Sequence, residues 1–331
     1  MNFTLTRRAM LGATAATGVL LVAGAALADN IVLRMATVAT ETDRRTVALA
    51  EVFGPAVASF ATYEPHYNGT LFKQATELEA IARGNLEMAI TSAQELATFF
   101  PEFSVFTAGY LHRDAAHQVA VFNDALMDPF KAKVEAELGV KLLTVMYLGR
   151  RQLNLRTAGE IKTPADMAGI KLRMPGTDAW QFLGTALGAN PVPMAFGEVY
   201  TGLQSGAIDG QENPLPTDKD SKFYEVTRQI VLTSHLVDLN YLALSLKVWD
   251  AMTPEQQAIT QKAADDAAEV ARQQQLALED ELVAFFKEQG LKVYEPDVAA
   301  FRSQVQAAYL ASEYAASWPA GIVDAINALA K

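Results

Sequence analysis

The chain has no cysteine in 331 residues. Disulfides, thiolate nucleophiles and cysteine-ligated zinc or iron–sulfur centres are therefore excluded. Histidine is scarce, with four in all. His112 and His117 stand five apart, off a common helical face, and no carboxylate sits at ligand spacing beside either. Structural placement is the simpler reading for them, with metal binding as the alternative. Positive charge is also short: 27 basic residues against 38 acidic ones leave −11. Nothing here would neutralise a phosphate backbone, so no nucleic-acid partner is expected. A GxxxxGK[ST] loop, a GxGxxG turn, HExxH and GxSxG are all missing, so no cofactor, no metal and no enzymatic centre is expected. Residue order does not exclude a Ser/His/Asp triad, but nothing points to one. What is present is globular in character. Half of the residues are hydrophobic and a fifth are charged, which is enough for two ordinary cores.

Residues 1–28 read as an export signal. Arg7 and Arg8 follow Thr6, an uncharged run extends from Ala9 to Leu27, and Ala26-Leu27-Ala28 forms a small-x-small cleavage site. The paired arginines fit the twin-arginine type. The alternative is an uncleaved anchor, because the run approaches bilayer length. Removing 1–28 takes away two arginines and no acid, leaving −13 over 303 residues. No later stretch reaches 18 uninterrupted apolar residues, so the mature chain is not expected to insert in a membrane. Its expected place is the periplasm.

Past the signal, strand and helix patterns alternate. Residues 31–36 form a short apolar run that reads as a buried strand, and a helix is expected over roughly 42–60. Asn68-Gly69 marks a turn. Residues 73–83 have helical spacing, and Gly84 suits the left-handed position after a helix. Strands are expected at 86–90, 140–147 and 170–174. A helix at 200–205 ends on Gly206, and a strand follows at 207–209. Alternation of this kind implies an α/β architecture, and its grouping on either side of about residue 148 suggests two domains. Thr253-Pro254-Glu255-Gln256 reads as a helix start with a capping box. No breaker follows until Gly290, which allows a helix of about 36 residues, ~54 Å long, lying across both domains.

The informative stretch is 149–214. Arg173 ends an apolar strand just before Pro175-Gly176, and in open α/β sheets ligands collect beyond strand ends. An arginine there presents a planar fork that matches a carboxylate. The alternatives are pairing with Glu198 or Asp209, or exposure to water. Arg151, placed after the 140–147 strand with Arg150 beside it, has the same ambiguity. Asn213, before Pro214, either orients a ligand or stabilises a turn. Phe196 is either core or pocket wall. Arg150, Arg151, Arg156, Lys171 and Arg173 cluster in sequence where a positive pocket is expected.

This stretch resembles the DctP family, the solute-binding subunits of tripartite ATP-independent periplasmic (TRAP) transporters. The residues that carry the resemblance are Gly169-Ile170-Lys171-Leu172-Arg173-Met174-Pro175, Leu187-Gly188-Ala189, Pro193-Met194-Ala195-Phe196 with Glu198-Val199-Tyr200, Leu203-Gln204 to Gly206, and Ile208-Asp209-Gly210-Gln211-Glu212-Asn213-Pro214. It implies an α/β, two-lobed periplasmic binding protein with hinge strands and a long helix spanning both lobes. The implied division is 29–148 plus about 239–276 for lobe I, and 149–238 plus about 277–331 for lobe II. It further implies that Arg173 binds a substrate carboxylate, that Arg151 of the Gly149-Arg150-Arg151-Gln152 run assists, and that Asn213 and Phe196 line the pocket. From the first lobe and the hinge only positions can be matched: Thr37, Lys73, Ser92 and Asn240, with Trp180 after the KLR strand. Lys73 facing the ligand would favour a second anionic group, and Trp180 a sugar or aromatic ring. A surface lysine and a core tryptophan are the alternatives. The implied partners are a small carboxylate and the TRAP membrane subunits, and a monomer is expected. C4-dicarboxylates, keto or hydroxy acids, sugar acids and aromatic acids all fit. A protein feeding a periplasmic signalling receptor, or a periplasmic enzyme, would be the alternatives.

Overall fold

A computed structural model describes residues 31–330, so the expected export signal at 1–28 lies outside the described residues. Nine strands form one mixed sheet: β1 (Ile31–Ala36), β2 (Ala61–His66), β3 (Met88–Ser92), β4 (Val140–Leu155), β5 (Lys171–Met174), β6 (Asn190–Pro193), β7 (Gly210–Pro214), β8 (Gln229–Ser245) and β9 (Lys292–Tyr294). Their spatial order is β2-β1-β3-β8-β4-β7-β5-β6, and β9 adds to β8. β1 with β2 and β3, and β5 with β6 and β7, pair in parallel through helical connections. That is the α/β class the alternation implied.

β4 and β8 are far longer than an ordinary strand, at 16 and 17 residues. They pair antiparallel along most of their length, and each serves both halves of the sheet. β3 pairs with residues 240–244 of β8, whereas β7 pairs with residues 151–155 of β4. The crossing falls at Gly149 opposite Asp238, beside a register shift. Gly149 sits there with φ 134°, a conformation that L side chains rarely adopt. The strand expected at 140–147 thus continues through the polar run Gly149-Arg150-Arg151-Gln152. Arg151 lies inside it and not after it, and Asn213 likewise lies within β7.

The helix at Pro254–Glu288 has 35 residues. Thr253 Oγ1 accepts from Gln256 N, and Gln256 Oε1 accepts from Thr253 N at 2.9 Å, so two orphan amides are satisfied reciprocally. Ala263, Ala264, Ala267, Ala268 and Ala271 recur at helical spacing and pack with Leu33, Met35, Phe53 and Leu244 of the first half. One helical stretch further on, Leu282 and Phe286 pack with Leu215 and Ile230 of the second half. Between these contacts Gln275 donates to the Leu148 carbonyl, and Glu279 accepts from Arg150 N and from the Tyr147 hydroxyl. The helix is therefore tied to β4 where the strand passes between halves. Among the described residues no helix is long and apolar enough to cross a membrane.

Candidate functional site

A cleft of about 700 Å³, its open mouth included, lies where the strand ends of both halves converge. Eight of the nine residues singled out from sequence line it: Thr37, Ser92, Arg151, Arg173, Trp180, Phe196, Asn213 and Asn240. Lys73 does not. The helix expected from residue 73 begins only at Glu77, because Ala75 adopts φ 70° and breaks it. The resulting turn leaves Lys73 exposed and puts Gln74 on the cleft wall. The expected carpet of positive charge is absent as well. Arg150 donates to the Arg113 carbonyl and Lys171 to the Gly206 carbonyl, while Arg156 packs against Gly206. Of that cluster only Arg151 and Arg173 reach the cleft.

Arg173, at the end of β5, is 1 % exposed. Its Nε donates to the Met194 carbonyl at 2.9 Å and its Nη2 to Gln74 Oε1 at 2.8 Å. Phe196 lies with its ring centroid 5.7 Å from the guanidinium carbon. Among the described residues no carboxylate forms an ion pair with it. Neither Glu198 nor Asp209 does, and Asp209 instead accepts from Lys171 N at 3.0 Å. Burial lowers its pKa to about 9; Glu212 opposes the shift and Arg151 adds to it. The side chain is a buried cation with neutral acceptors only.

Arg151 is placed differently. Its guanidinium reaches Glu212 through Nε and Nη2 and Asp238 Oδ2 through Nη1 at 2.7 Å. It also donates to the Glu212 carbonyl at 2.6 Å and lies 4.6 Å over the Trp180 ring. Burial alone would lower its pKa, but the two carboxylates outweigh that and raise it. Glu212 is held below the usual carboxylate range despite full burial, by Arg151 and by His235 Nε2 at 2.9 Å. His235, a scattered histidine in the sequence, is a member of this network. Arg151 thus lines the cleft with its charge already met, and removing one partner would strand a buried charge at a cost of about 3–5 kcal/mol.

Several lining residues carried no signal in the sequence reading. Arg45 is buried against Asp43, with Nη2 to Oδ2 at 2.7 Å and Nε to Oδ1 at 3.0 Å, and it donates to Asn240 Oδ1. Gln74, Glu77, Glu95, Thr217 and Asp220 also face the cleft. Asp43 and Arg45 lie at the start of the short helix Arg44–Ala48, several residues past the end of β1, and Gln74 is an uncharged residue in a turn, so neither a strand-end rule nor a motif marks them. Burial, then the neighbouring Glu95, pushes Glu77 up to about 9. Burial also raises Glu95, and burial with Asp43 lifts Asp220 to about 6. Ser92 caps the helix after β3 and exchanges hydrogen bonds with Glu95 in a capping box. Thr37 Oγ1 accepts from Ala39 N, and Asn213 Nδ2 donates to Gln211 Oε1 at 2.6 Å. Trp180 Nε1 and Thr217 Oγ1 are buried without a partner among the described residues. No group of three or more His, Asp or Glu among the described residues is arranged to hold a metal.

The cleft therefore offers one uncompensated guanidinium, spare polar groups and carboxyl acceptors: a receptacle for one anionic group on a hydroxyl-bearing body. Comparison with known proteins agrees in kind. Residues 59–315 match the profile of bacterial extracellular solute-binding protein family 7, DctP. The sialic acid-binding periplasmic protein SiaP of Vibrio cholerae is 30 % identical over 70 % of this chain and 72 % of its own. A TRAP periplasmic solute-binding protein of Roseobacter denitrificans, solved with bound 3-deoxy-D-manno-oct-2-ulosonic acid, is 66 % identical with a TM-score of 0.90, over 91 % of this chain and all of that one. A second from Roseobacter denitrificans, solved with L-galactonate, is 27 % identical with a TM-score of 0.82, over 91 % of this chain and 98 % of that one.

Proposed function

This chain belongs to bacterial extracellular solute-binding protein family 7, and from that premise we propose that it is a periplasmic receptor for a sugar acid of the 3-deoxy-D-manno-oct-2-ulosonic acid class. The family binds small organic acids and hands them to the membrane subunits of TRAP transporters. Its relatives are solute-binding proteins, not enzymes.

The observation that carries the reading is Arg173: 1 % exposed, and with no anionic partner among the described residues. A ligand carboxylate supplies the missing charge, and charged hydrogen bonds are worth about 1.5–3 kcal/mol each. Because Arg45 and Arg151 are already matched by acids and Lys73 points away, one carboxylate is favoured over two. Hydroxyls on the remainder of the ligand find acceptors in Asp43, Glu77 and Asp220 and donors in Trp180 and Thr217.

The lobes of this reading are 29–148 with about 239–276, and 149–238 with about 277–331. Support comes from β4 and β8, because β8 pairs with β3 only from Asn240 on and β4 pairs with β7 only from Arg151 on, close to these bounds. Closure follows because a ligand touching both lobes lowers the free energy of the closed form alone.

Isothermal calorimetry of the exported chain tests this with 3-deoxy-D-manno-oct-2-ulosonic acid, L-galactonate and succinate. The sugar acids bind and succinate is at least 100-fold weaker. Arg173→Ala loses about 100-fold or more in affinity for the sugar acid, while the unliganded melting temperature stays within a few degrees. Retained affinity in that variant would move the anchor elsewhere.

A further inference from the structure

Gln74 belongs to the turn before the 77–82 helix, in the first half of the sheet. Its single amide oxygen Oε1 accepts two hydrogen bonds, and both come from the second half: Arg173 Nη2 at 2.8 Å and the backbone N–H of Phe196 at 3.1 Å. Arg173 is otherwise held by the Met194 carbonyl on Nε. In a guanidinium Nε–H and one Nη2–H share an edge, so Met194 and Gln74 together occupy that whole edge. The end-on pair, Nη1 with the second Nη2–H, meets no protein acceptor among the described residues, and this pair is the fork that takes a carboxylate in two parallel bonds.

We propose that Gln74 is a positioning residue that reaches across the cleft, fixes the outer edge of the Arg173 guanidinium, and leaves its end-on fork aimed at the ligand carboxylate. The inference rests on the carboxylate-receptor reading and adds to it the residue that ties closure to recognition. Neutrality is essential to the role. An amide oxygen orients the cation without cancelling its charge, so the attraction is kept for the ligand. A carboxylate at the same place would make the same two hydrogen bonds and satisfy the arginine internally.

Two substitutions separate orientation from charge. Gln74→Glu keeps the shape and both acceptor bonds. Unliganded, it should melt about 2–4 °C higher through the new ion pair. It should also bind 3-deoxy-D-manno-oct-2-ulosonic acid at least 100-fold more weakly, with affinity recovering as acid protonates the introduced carboxyl. Gln74→Ala should lose about tenfold in affinity with a slightly lowered melting temperature. A purely structural role would move stability and affinity in the same direction in both variants. The proposal is overturned if Gln74→Glu binds within threefold of the parent, or if it lowers stability and affinity together. Arg173→Ala run alongside keeps the two readings apart: if it abolishes binding while Gln74→Glu does not, only the role of Gln74 falls.

Discussion

Glu77 shows how a single side chain can make this receptor sensitive to pH. It is 4 % exposed, and burial, with Glu95 beside it, lifts its pKa from 4.5 to about 9. The folded state then holds a proton that the unfolded state gives up at about pH 4.5. Between those limits the native form binds more protons, so stability falls as pH rises. The melting temperature is expected to drop between pH 5 and 9. Glu77→Gln, neutral throughout, should flatten that slope; an unchanged slope would exclude Glu77 as its source. The residue scale also shows how far side-chain chemistry is legible in sequence. Arg173 was marked by an arginine ending an apolar strand. Arg151 carries the same local signature, yet Glu212 and Asp238 come to it from β7 and β8 and consume its charge. Lys73 is matched to the pocket by position alone, and the left-handed turn at Ala75 leaves it exposed and puts Gln74 on the cleft wall instead.

Among the elements, β4 is one whose extent had to be corrected, as did those of β7 and of the helix expected from residue 73. Val140–Leu155 is a single strand, although Gly149-Arg150-Arg151-Gln152 has none of the apolar or alternating pattern of one. It is held by pairing on both sides and by Glu279 of the long helix, not by intrinsic propensity. Gly149 is the constrained point. A Cβ there would lie 2.6 Å from Glu279 Oε1 and 2.6 Å from Pro214 Cβ, on a backbone already at φ 134°. Gly149→Ala should therefore cost about 2–4 kcal/mol, read as a lower urea midpoint; a loss under about 0.5 kcal/mol would show that the crossing adapts freely. The long helix is the opposite case. Its capping box, its proline and the distance to the next breaker are all local, so its start and length were legible without the fold.

At the scale of the whole molecule, net charge works against the ligand. The full chain carries −11, so an approaching organic acid meets repulsion at long range and attraction only near Arg173. Salt screens the first and hardly reaches the second. Association should therefore speed up, by about threefold between 10 and 150 mM NaCl, which stopped-flow fluorescence can follow because Trp180 lines the cleft. A rate that falls with salt would show that the cleft's own field dominates at a distance. Sequence by itself determined the α/β class, the long helix, the family resemblance and the arginine at a strand end, because each is written in contiguous residues or fixed spacings. Only the tertiary structure decided which charges remain free. Neutralisation of Arg151 by Glu212 and Asp238, the acid-lined cleft wall and the reach of Gln74 to Arg173 join residues far apart in the chain, and no local pattern records the partner that folding delivers.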